Sequence, residues 1–241
     1  MKLQDQVALV TGGSHGLGLA IARELAAEGA AVSLVARAGA KLDEAATSLG
    51  IGHRAIGVPA DVTREADVAA AVGRTIAELG RLDIVVLNAG TWAGSPIVDM
   101  TEAAWDSLLD LNLKGAFLTL KHALPPLIAQ QRGTVIGIAS LGALVGQPGS
   151  AAYAASKWGL RGLLESAALE VKAHRIRVSL VYPHNINSAG ASYVAGSPER
   201  DRHLEPSEIA SLVGWICGAP DHVAVGNVSI WPLDAGIKAQ L

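Results

Sequence analysis

The chain has 241 residues, half of them hydrophobic but only 4% aromatic, and its 19 basic and 22 acidic residues give a net charge of −3. This composition excludes a disordered chain, and the lack of clustered lysines and arginines argues against a nucleic-acid partner. The uncharged stretch 133–156 is interrupted by glycines and a proline that would break a membrane-spanning helix. The lone cysteine, Cys217, and the lack of a signal-peptide core at the amino terminus predict a cytoplasmic protein.

Short apolar runs alternate along the chain with longer segments of helical periodicity. In chain order, the pattern predicts strand Val7–Val10, helix Gly16–Glu28, strand Ala31–Ala36, helix Lys41–Leu49, strand His53–Val58, helix Arg64–Leu79 and strand Asp83–Leu87. The second half continues with helix Thr101–Gln130, strand Thr134–Ala139, helix Ala152–His174, strand Ile176–Val181, helix Ser207–Gly218 and strand Val228–Trp231.

The predicted strands are apolar throughout, which is typical of a parallel sheet covered by helices on both faces. The sequence therefore predicts an α/β fold with a single Rossmann-like, doubly wound domain over residues 1–241 and about seven parallel strands. Glycines and prolines predict a mobile substrate loop at about 188–206. Because ligands bind beyond the carboxyl ends of such strands, we look for the site there.

The first predicted strand ends in a glycine-rich turn that leads directly into a helix. The turn reads Gly12-x-x-x-Gly16-x-Gly18, with three residues in the first gap where the usual dinucleotide fingerprint has one. Glycines let the backbone approach a pyrophosphate, and the helix amino terminus directs free N–H groups at it. A glycine-rich turn alone is weak evidence, because a plain strand-to-helix turn can contain the same residues.

Further motifs follow at the ends of the later strands. Asn88-Ala89-Gly90 closes the fourth strand, Asn112 stands in the next helix, Ser140 ends the fifth strand, and Tyr153 and Lys157 form a Tyr-x-x-x-Lys motif. With the glycine turn, this pattern resembles the short-chain dehydrogenase/reductase family over essentially the whole chain. The resemblance implies an oxidoreductase that interconverts a carbonyl and an alcohol with NAD(P), without a metal. It also implies a homotetramer or homodimer, with helices 101–130 and 152–174 as candidate interfaces.

The residues support this chemistry independently. Tyr153 and Lys157 are four positions apart on a predicted helix and share a face. A nearby ammonium group favours the phenolate, so Lys157 is expected to lower the pKa of Tyr153. Tyr153 would then act as general acid or base while the nicotinamide carries the hydride, and Ser140 would bind the substrate oxygen. An exposed helix face would explain the pair alone, but not Ser140, Asn112 and the glycine turn as well.

The resemblance implies further roles. Lys157 also binds the nicotinamide ribose, and Asn112 holds a water molecule in a proton relay. The expected cofactor-binding residues are Gly12, Ser14, His15, Gly16, Leu17, Gly18, Arg37, Asp61, Val62, Asn88, Ala89, Gly90, Tyr153, Lys157, Pro183, Ile186 and Ser188.

The end of the second strand predicts which cofactor is preferred. NAD enzymes place an acid there on the ribose 2′-hydroxyl, whereas this chain has Arg37 and no acid before Asp43. A guanidinium suits a 2′-phosphate, so we expect NADP(H) to be preferred over NAD(H). His15 either assists when protonated or is an ordinary surface histidine.

One residue departs from the family pattern. The family has Pro-Gly after the sixth strand, whereas here Pro183 is followed by His184. His184 either contacts substrate or faces solvent. Trp92, Leu141 and Tyr193 either form an apolar wall for a small or medium hydrophobic ketone or are ordinary packing residues. Trp105, Trp158, Trp215 and Trp231 are expected to be structural.

The sequence therefore favours an NADP(H)-dependent carbonyl reductase or alcohol dehydrogenase acting on a small molecule. Two alternatives stay open. One is a fatty-acid-type 3-oxoacyl-thioester reductase, and the other is a non-catalytic NADP(H)-sensing protein, which would not need the complete catalytic set.

Overall fold

The computed structural model describes residues 1–50, 54–187 and 200–233. Its strands form one parallel sheet in the order β3-β2-β1-β4-β5-β6-β7. The strands are β1 Val7–Thr11, β2 Ala31–Ala36, β3 Ala55–Pro59, β4 Ile84–Leu87, β5 Gly133–Ile138, β6 Ile176–Pro183 and β7 Val228–Ile230. Helices α1 Gly16–Ala27, α2 Ala40–Gly50, α3 Glu65–Leu79, α4 Glu102–Leu109, α5 Gly115–Ala129, α6 Ala151–Val171 and α7 Pro206–Cys217 connect them. The predicted doubly wound α/β fold is confirmed.

Apolar side chains cover both faces of the sheet, as the uniformly apolar strands predict. Every residue of β1, β4 and β5 is buried. One core cluster includes side chains from α3, α5 and α6, and the other includes side chains from α1, α2 and α7. Cys217 lies in the second cluster, where burial raises the pKa of its thiol to about 12, so it is an inert small hydrophobe.

The strand order reverses between β1 and β4. The chain first builds outward from β1 through β2 to β3, and then returns to place β4 on the other side of β1. A crevice opens beyond the carboxyl ends of the strands at such a reversal, and this is where ligands bind in open parallel sheets.

The long helix expected over 101–130 is interrupted. Between α4 and α5, residues Asp110–Lys114 form a π-helical turn that contains Asn112. Such turns are rare and occur frequently at functional sites. Thr101 caps the amino terminus of α4, and its side-chain oxygen accepts a hydrogen bond from the backbone N–H of Ala104.

The expectation that four tryptophans are structural is wrong. Trp105, Trp158, Trp215 and Trp231 are between 37% and 57% exposed. They lie on or beside regular elements, as predicted, but their rings are on the outer surface of the helices or at the sheet edge. Aliphatic neighbours in sequence do not distinguish the two sides of a helix.

The expected substrate loop is described only in its second part. Leu204 is buried, and its backbone bonds to Asn185 and Asn187 attach this part to the chain that follows β6. Residues 188–199, which include Ser188 and Tyr193, lie outside the described residues, and the mobility of the loop stays a prediction. Over the described ranges, every helix is too short or too polar to cross a membrane.

Candidate active site

The glycine turn has the backbone shape that a phosphate cradle needs. Gly12 and Gly16 have φ values of +65° and +55°, a region that side chains rarely adopt. At Gly18, an added Cβ would overlap the carbonyl oxygen of Gly12 and lie 2.6 Å from Nδ2 of Asn88. The turn therefore brings the start of α1 against the ends of β1 and β4, and only glycine fits there.

Two polar side chains lock this turn to β4. Nδ2 of Asn88 donates to the carbonyl of Thr11 at 2.9 Å, and Oγ1 of Thr11 accepts from the backbone N–H groups of Asn88 and Ala89. The same hydroxyl donates to the carbonyl of Val86. Asn88 thus shapes the cradle, and Thr11 is a structural partner that the sequence analysis missed.

A cleft of about 970 Å³ opens beside the cradle. Its walls include Gly12, Ser14, His15, Arg37, Lys41, Asp61, Val62, Thr63, Ala89, Gly90, Ser107, Asp110 and Leu111. No atom lies within 4 Å of the position that a Cβ on Gly16 would take, so space remains above the turn. The cleft thus has the phosphate-binding turn and the volume that a dinucleotide requires.

The charged side chains of this cleft differ in whether they already have a partner. Arg37 is exposed at the end of β2, with Lys41 nearby on α2. The pKa of Asp61 is lowered, first by hydrogen bonds from the backbone N–H and hydroxyl of Thr63 and further by the charge of Arg37. Nδ1 of His15 lies 3.0 Å from Oγ of Ser14 at the edge of the turn. The two cations are thus free to meet an anionic group, while Asp61 is already engaged.

Ser140, Tyr153 and Lys157 converge beyond the ends of β5 and β6. Tyr153 lies close enough to Ser140 for the serine hydroxyl to act on the pKa of the tyrosine, and Oγ of Ser140 accepts from the backbone N–H of Gly142 at 3.1 Å. A Cβ on Gly142 would lie 3.1 Å from the tyrosine ring, so this glycine lets the ring approach. Nζ of Lys157 donates to the carbonyl of Ile138 and lies 5.8 Å from the centre of the same ring.

The pKa values of the pair differ from the expectation. Burial raises the pKa of Tyr153, and the hydroxyl of Ser140 opposes this shift only in part. Burial lowers the pKa of Lys157 from 10.5 to about 8. The expected lowering of the tyrosine pKa by Lys157 is therefore not found in the cofactor-free protein. At pH 7 the phenol is protonated and the lysine is predominantly charged.

Asn112 is held inside the molecule by the π-helical turn. Its Oδ1 accepts from the backbone N–H of Thr91 at 2.8 Å, and its Nδ2 donates to the carbonyl of Thr91 and to Oγ of Ser156. A Cβ on Gly90 would lie 3.1 Å from this Oδ1 and 3.7 Å from Nζ of Lys157. Asn112 thus links the loop after β4 to α6, and Ser156 is a second partner that the sequence analysis did not identify.

A separate cavity of about 370 Å³ lies on the other side of Tyr153. Ser140 and Tyr153 form one wall, and Trp92, Leu141, Val145 and Ile186 supply an apolar surface. Trp92 is 65% exposed, and the lining also includes Pro183, His184 and Asn185. The structure therefore brings the expected substrate residues Trp92, Leu141 and His184 together with the catalytic residues.

Some of the expected cofactor-binding residues do not line the larger cleft. Pro183 and Ile186 line the substrate cavity rather than the larger cleft. Leu17 and Gly18 belong to α1 behind the turn and do not line the cleft themselves. Val145 and Gln147 of the cavity wall were missed, because nothing in their local sequence distinguishes them from other loop residues.

Comparison with known proteins shows the family to which the chain belongs. Residues 6–196 match the family model of the short chain dehydrogenases. The cis-4-hydroxycyclohexanecarboxylate dehydrogenase of Sinomonas cyclohexanicum is 36% identical over 98% of this chain and 97% of its own. The structure of a metagenomic short-chain oxidoreductase in complex with NADP is 38% identical, with a TM-score of 0.84 over 96% of this chain and 99% of its own.

A third protein extends the comparison. The alcohol dehydrogenase of the archaeon Thermococcus sibiricus, complexed with 5-hydroxy-NADP, has a TM-score of 0.87 at 27% identity and covers 95% of this chain and 97% of its own. The fold, the glycine turn and the Ser-Tyr-Lys site define an oxidoreductase of the Rossmann type. The chain belongs to the short-chain dehydrogenase/reductase family.

Proposed function

We propose that the protein is an NADP(H)-dependent oxidoreductase that interconverts a ketone and a secondary alcohol. The observation that carries the proposal is the position of Tyr153. Its side chain lines the substrate cavity together with Ser140, and Lys157 lies beside it near the Gly90 wall of the dinucleotide cleft. A carbonyl group held at Ser140 would thus lie between a proton donor and the cleft.

Each residue of the site has its own role in the proposed reaction. In the cleft, a bound nicotinamide supplies the hydride to the carbonyl carbon. Tyr153 donates its phenolic proton to the carbonyl oxygen, and Ser140 orients that oxygen by a hydrogen bond. By the family resemblance, charged Lys157 would bind the nicotinamide ribose. Asn112 supports the water molecule that returns a proton to Tyr153.

The raised pKa of Tyr153 is consistent with a role as the general acid. A phenol that is fully protonated near neutral pH can act as the acid without a preceding proton uptake. The oxidation of an alcohol needs the phenolate, which burial disfavours in the cofactor-free protein.

The cofactor preference follows from Arg37. A guanidinium beside the ribose can form charge-assisted hydrogen bonds with a 2′-phosphate, and the end of β2 has no acid to repel it. The NADP bound to the metagenomic relative is consistent with this choice. Replacement of Arg37 by Asp should lower kcat/KM for NADPH by about 10- to 100-fold, the value of a charged hydrogen bond.

Arg23→Asp is the matched control, because it makes the same charge change on an exposed face of α1 outside the cleft. We expect it to leave the NADPH-to-NADH ratio unchanged. Equal kcat/KM for NADPH and NADH in the parent protein would contradict the proposed preference.

The substrate cavity favours a compact apolar ketone. Its wall of Trp92, Leu141, Val145 and Ile186 suits an alicyclic or short aliphatic body, and the name of the Sinomonas relative describes a cyclohexane alcohol that also carries a carboxylate. The test is NADPH consumption over a panel of cyclic ketones, diketones and 3-oxoacyl thioesters. Selective turnover of the thioesters would support the fatty-acid-type alternative instead. Binding of NADPH without turnover of any substrate would support a sensing protein.

We also propose a homotetramer. Helices α4, α5 and α6 carry exposed Trp105, Phe117, Trp158 and Leu169, which a single chain leaves in contact with water. Exposed apolar patches of this kind commonly mark contacts between protein chains. A cytoplasmic location stays a prediction.

A further inference from the structure

His184 has a side chain that its backbone does not require. β6 ends at Pro183, and the backbone N–H of His184 donates to the carbonyl of Ile230 at 2.9 Å. Its φ is not among the positive values of the described chain, so neither glycine nor any other special residue is needed here. The backbone therefore does not explain why a histidine stands here, and we look for the role of its imidazole in the cavity.

The position of His184 is close to that of Ser140. Ile138 of β5 is paired with Val181 of β6, and Ser140 and Pro183 each follow two residues later. Neighbouring strands are about 4.8 Å apart, so side chains beyond these ends reach adjacent parts of one small ligand. Both Ser140 and His184 line the same cavity of about 370 Å³.

One nitrogen of the imidazole has no hydrogen-bond partner among the described residues. Nδ1 of His184 is buried and unpaired within the described residues, whereas buried polar atoms are almost always paired. Rotation of the ring about its Cβ–Cγ bond exchanges the positions of Nδ1 and Cδ2, so the nitrogen can be presented on either edge. A ligand in the cavity could supply the hydrogen bond that the protein does not.

The described lining around His184 consists of uncharged residues. Burial lowers the pKa of His184, and the nearby His203 lowers it further, so the ring is neutral at pH 7. The described residues that line the cavity include no Asp, Glu, Lys or Arg. A carboxylate on the substrate would meet no cation in this lining and would lose its hydration, whereas a hydroxyl or carbonyl group needs only one hydrogen bond.

The following inference rests on the proposed function. We propose that His184 is a specificity-determining residue that selects ketones with a second, uncharged oxygen on the α- or β-carbon. Ser140 and Tyr153 hold the reacting carbonyl, and the imidazole forms a hydrogen bond with the second oxygen. The substrate class is therefore the neutral hydroxyketones and diketones, with an apolar remainder against Trp92 and Leu141.

The experiment compares kcat/KM with NADPH for cyclohexanone, 2-hydroxycyclohexanone, 2,2-dimethyl-1,3-cyclohexanedione, which cannot form an enolate between its carbonyls, and 4-oxocyclohexanecarboxylate. Each substrate is measured with the wild type, His184→Phe, His184→Gly and His184→Asn. Intrinsic reactivity differs among these ketones, but it cancels when the preference over cyclohexanone is compared between variants. Circular dichroism and NADPH binding establish that each variant is folded.

The expected result is a preference for the hydroxyketone and the dione that is about 3- to 10-fold larger in the wild type than in the Phe and Gly variants, the value of one neutral hydrogen bond. The loss should appear mainly in KM, and His184→Asn should restore part of it. The same preference in the wild type, Phe and Gly variants would overturn the inference while leaving ketone reduction intact. So would a preference for the carboxylate that depends on His184. If the wild type reduces no ketone, the proposed function fails and this inference fails with it.

Discussion

Tyr153 and Lys157 are both buried enough to change their proton affinities, and burial moves their pKa values in opposite directions. Burial disfavours the charged form of each group, which is the phenolate of the tyrosine and the ammonium of the lysine. The cofactor-free protein therefore holds Tyr153 as an acid. Near neutral pH, only a small part of Lys157 is uncharged.

The first prediction at this scale is that Tyr153→Phe loses about 10²- to 10⁴-fold in kcat, which is the usual contribution of a general acid. NADPH binding, followed by fluorescence, should change little, because the ring remains and only the hydroxyl is removed. A variant with near-parental kcat would show that another group donates the proton.

The second prediction concerns Lys157 and protein stability. Its pKa is near 8 in the folded protein but 10.5 when unfolded, so the unfolded chain binds more protons between these values. The free energy of unfolding should therefore rise with pH across this window, relative to Lys157→Met, by up to about 3 kcal/mol. Urea unfolding at pH 7, 8, 9 and 10 measures the difference.

The comparison is best made in a Tyr153→Phe background, so that ionisation of the tyrosine does not contribute. A constant difference between the lysine and methionine proteins from pH 7 to 10 would contradict the lowered pKa.

The sequence could predict which residues meet at the site, because Ser140, Tyr153 and the glycine turn lie in motifs at strand ends. It could not predict how these residues influence one another. The bond from Lys157 to Ile138 and the contacts of Thr11 and Ser156 depend on atoms far away in the chain. Local sequence contains no signal for such contacts.

At the scale of elements, the π-helical turn positions the site. Asn112 projects from this turn and binds both the loop after β4 and α6. The turn interrupts what would otherwise be one long helix, and its cost is offset by these bonds. α4, α5 and α6 are thereby fixed relative to the end of β4, where Gly90 borders the cofactor cleft.

We predict that Asn112→Leu lowers the free energy of unfolding by about 2–4 kcal/mol, because three hydrogen bonds are lost and Thr91 and Ser156 lose their partner. It should also reduce kcat. Thr119→Val is the control, since the hydroxyl of this buried residue in α5 bonds only within its helix, to Gly115.

The control should cost about 1 kcal/mol or less and leave kcat unchanged. Equal losses of stability in both variants, measured by urea unfolding, would show that Asn112 has no special structural role.

Sequence periodicity predicted the strands well, because each fully buried strand is a short continuous apolar run. The π-helical turn could not be predicted in this way. It is favoured by partners of Asn112 that lie 21 and 44 residues away, and the apolar face of the helix continues through it. The same limit applies to the tryptophans, whose outward orientation depends on how each helix packs.

At the scale of the whole molecule, exposed aromatic side chains are the main unexplained feature of the single chain. The proposed assembly through α4, α5 and α6 would cover Trp105, Phe117 and Trp158. We predict a particle of four 24.7 kDa chains in solution, measured by light scattering after size exclusion. Phe117→Glu and Leu169→Glu should each shift the mass toward dimer or monomer, because a charge would be buried at the contact.

Val223→Glu adds the same charge at an exposed apolar residue between α7 and β7, and it should leave the mass unchanged. A monomeric parent protein, or tetramers from both helix variants, would contradict the proposed contacts.

The central claim is that a hydride passes from the nicotinamide of NADPH to a carbonyl carbon beside Tyr153. The most direct measurement uses NADPH deuterated at C4 of the nicotinamide and a cyclic ketone from the panel, with mass spectrometry of the product. We predict an alcohol with one deuterium on the carbinol carbon. It should form in an amount equal to the NADPH consumed, and its formation should be abolished in Tyr153→Phe. Failure to form any alcohol over the full panel, or an alcohol that contains no deuterium from either face of the labelled cofactor, would contradict it.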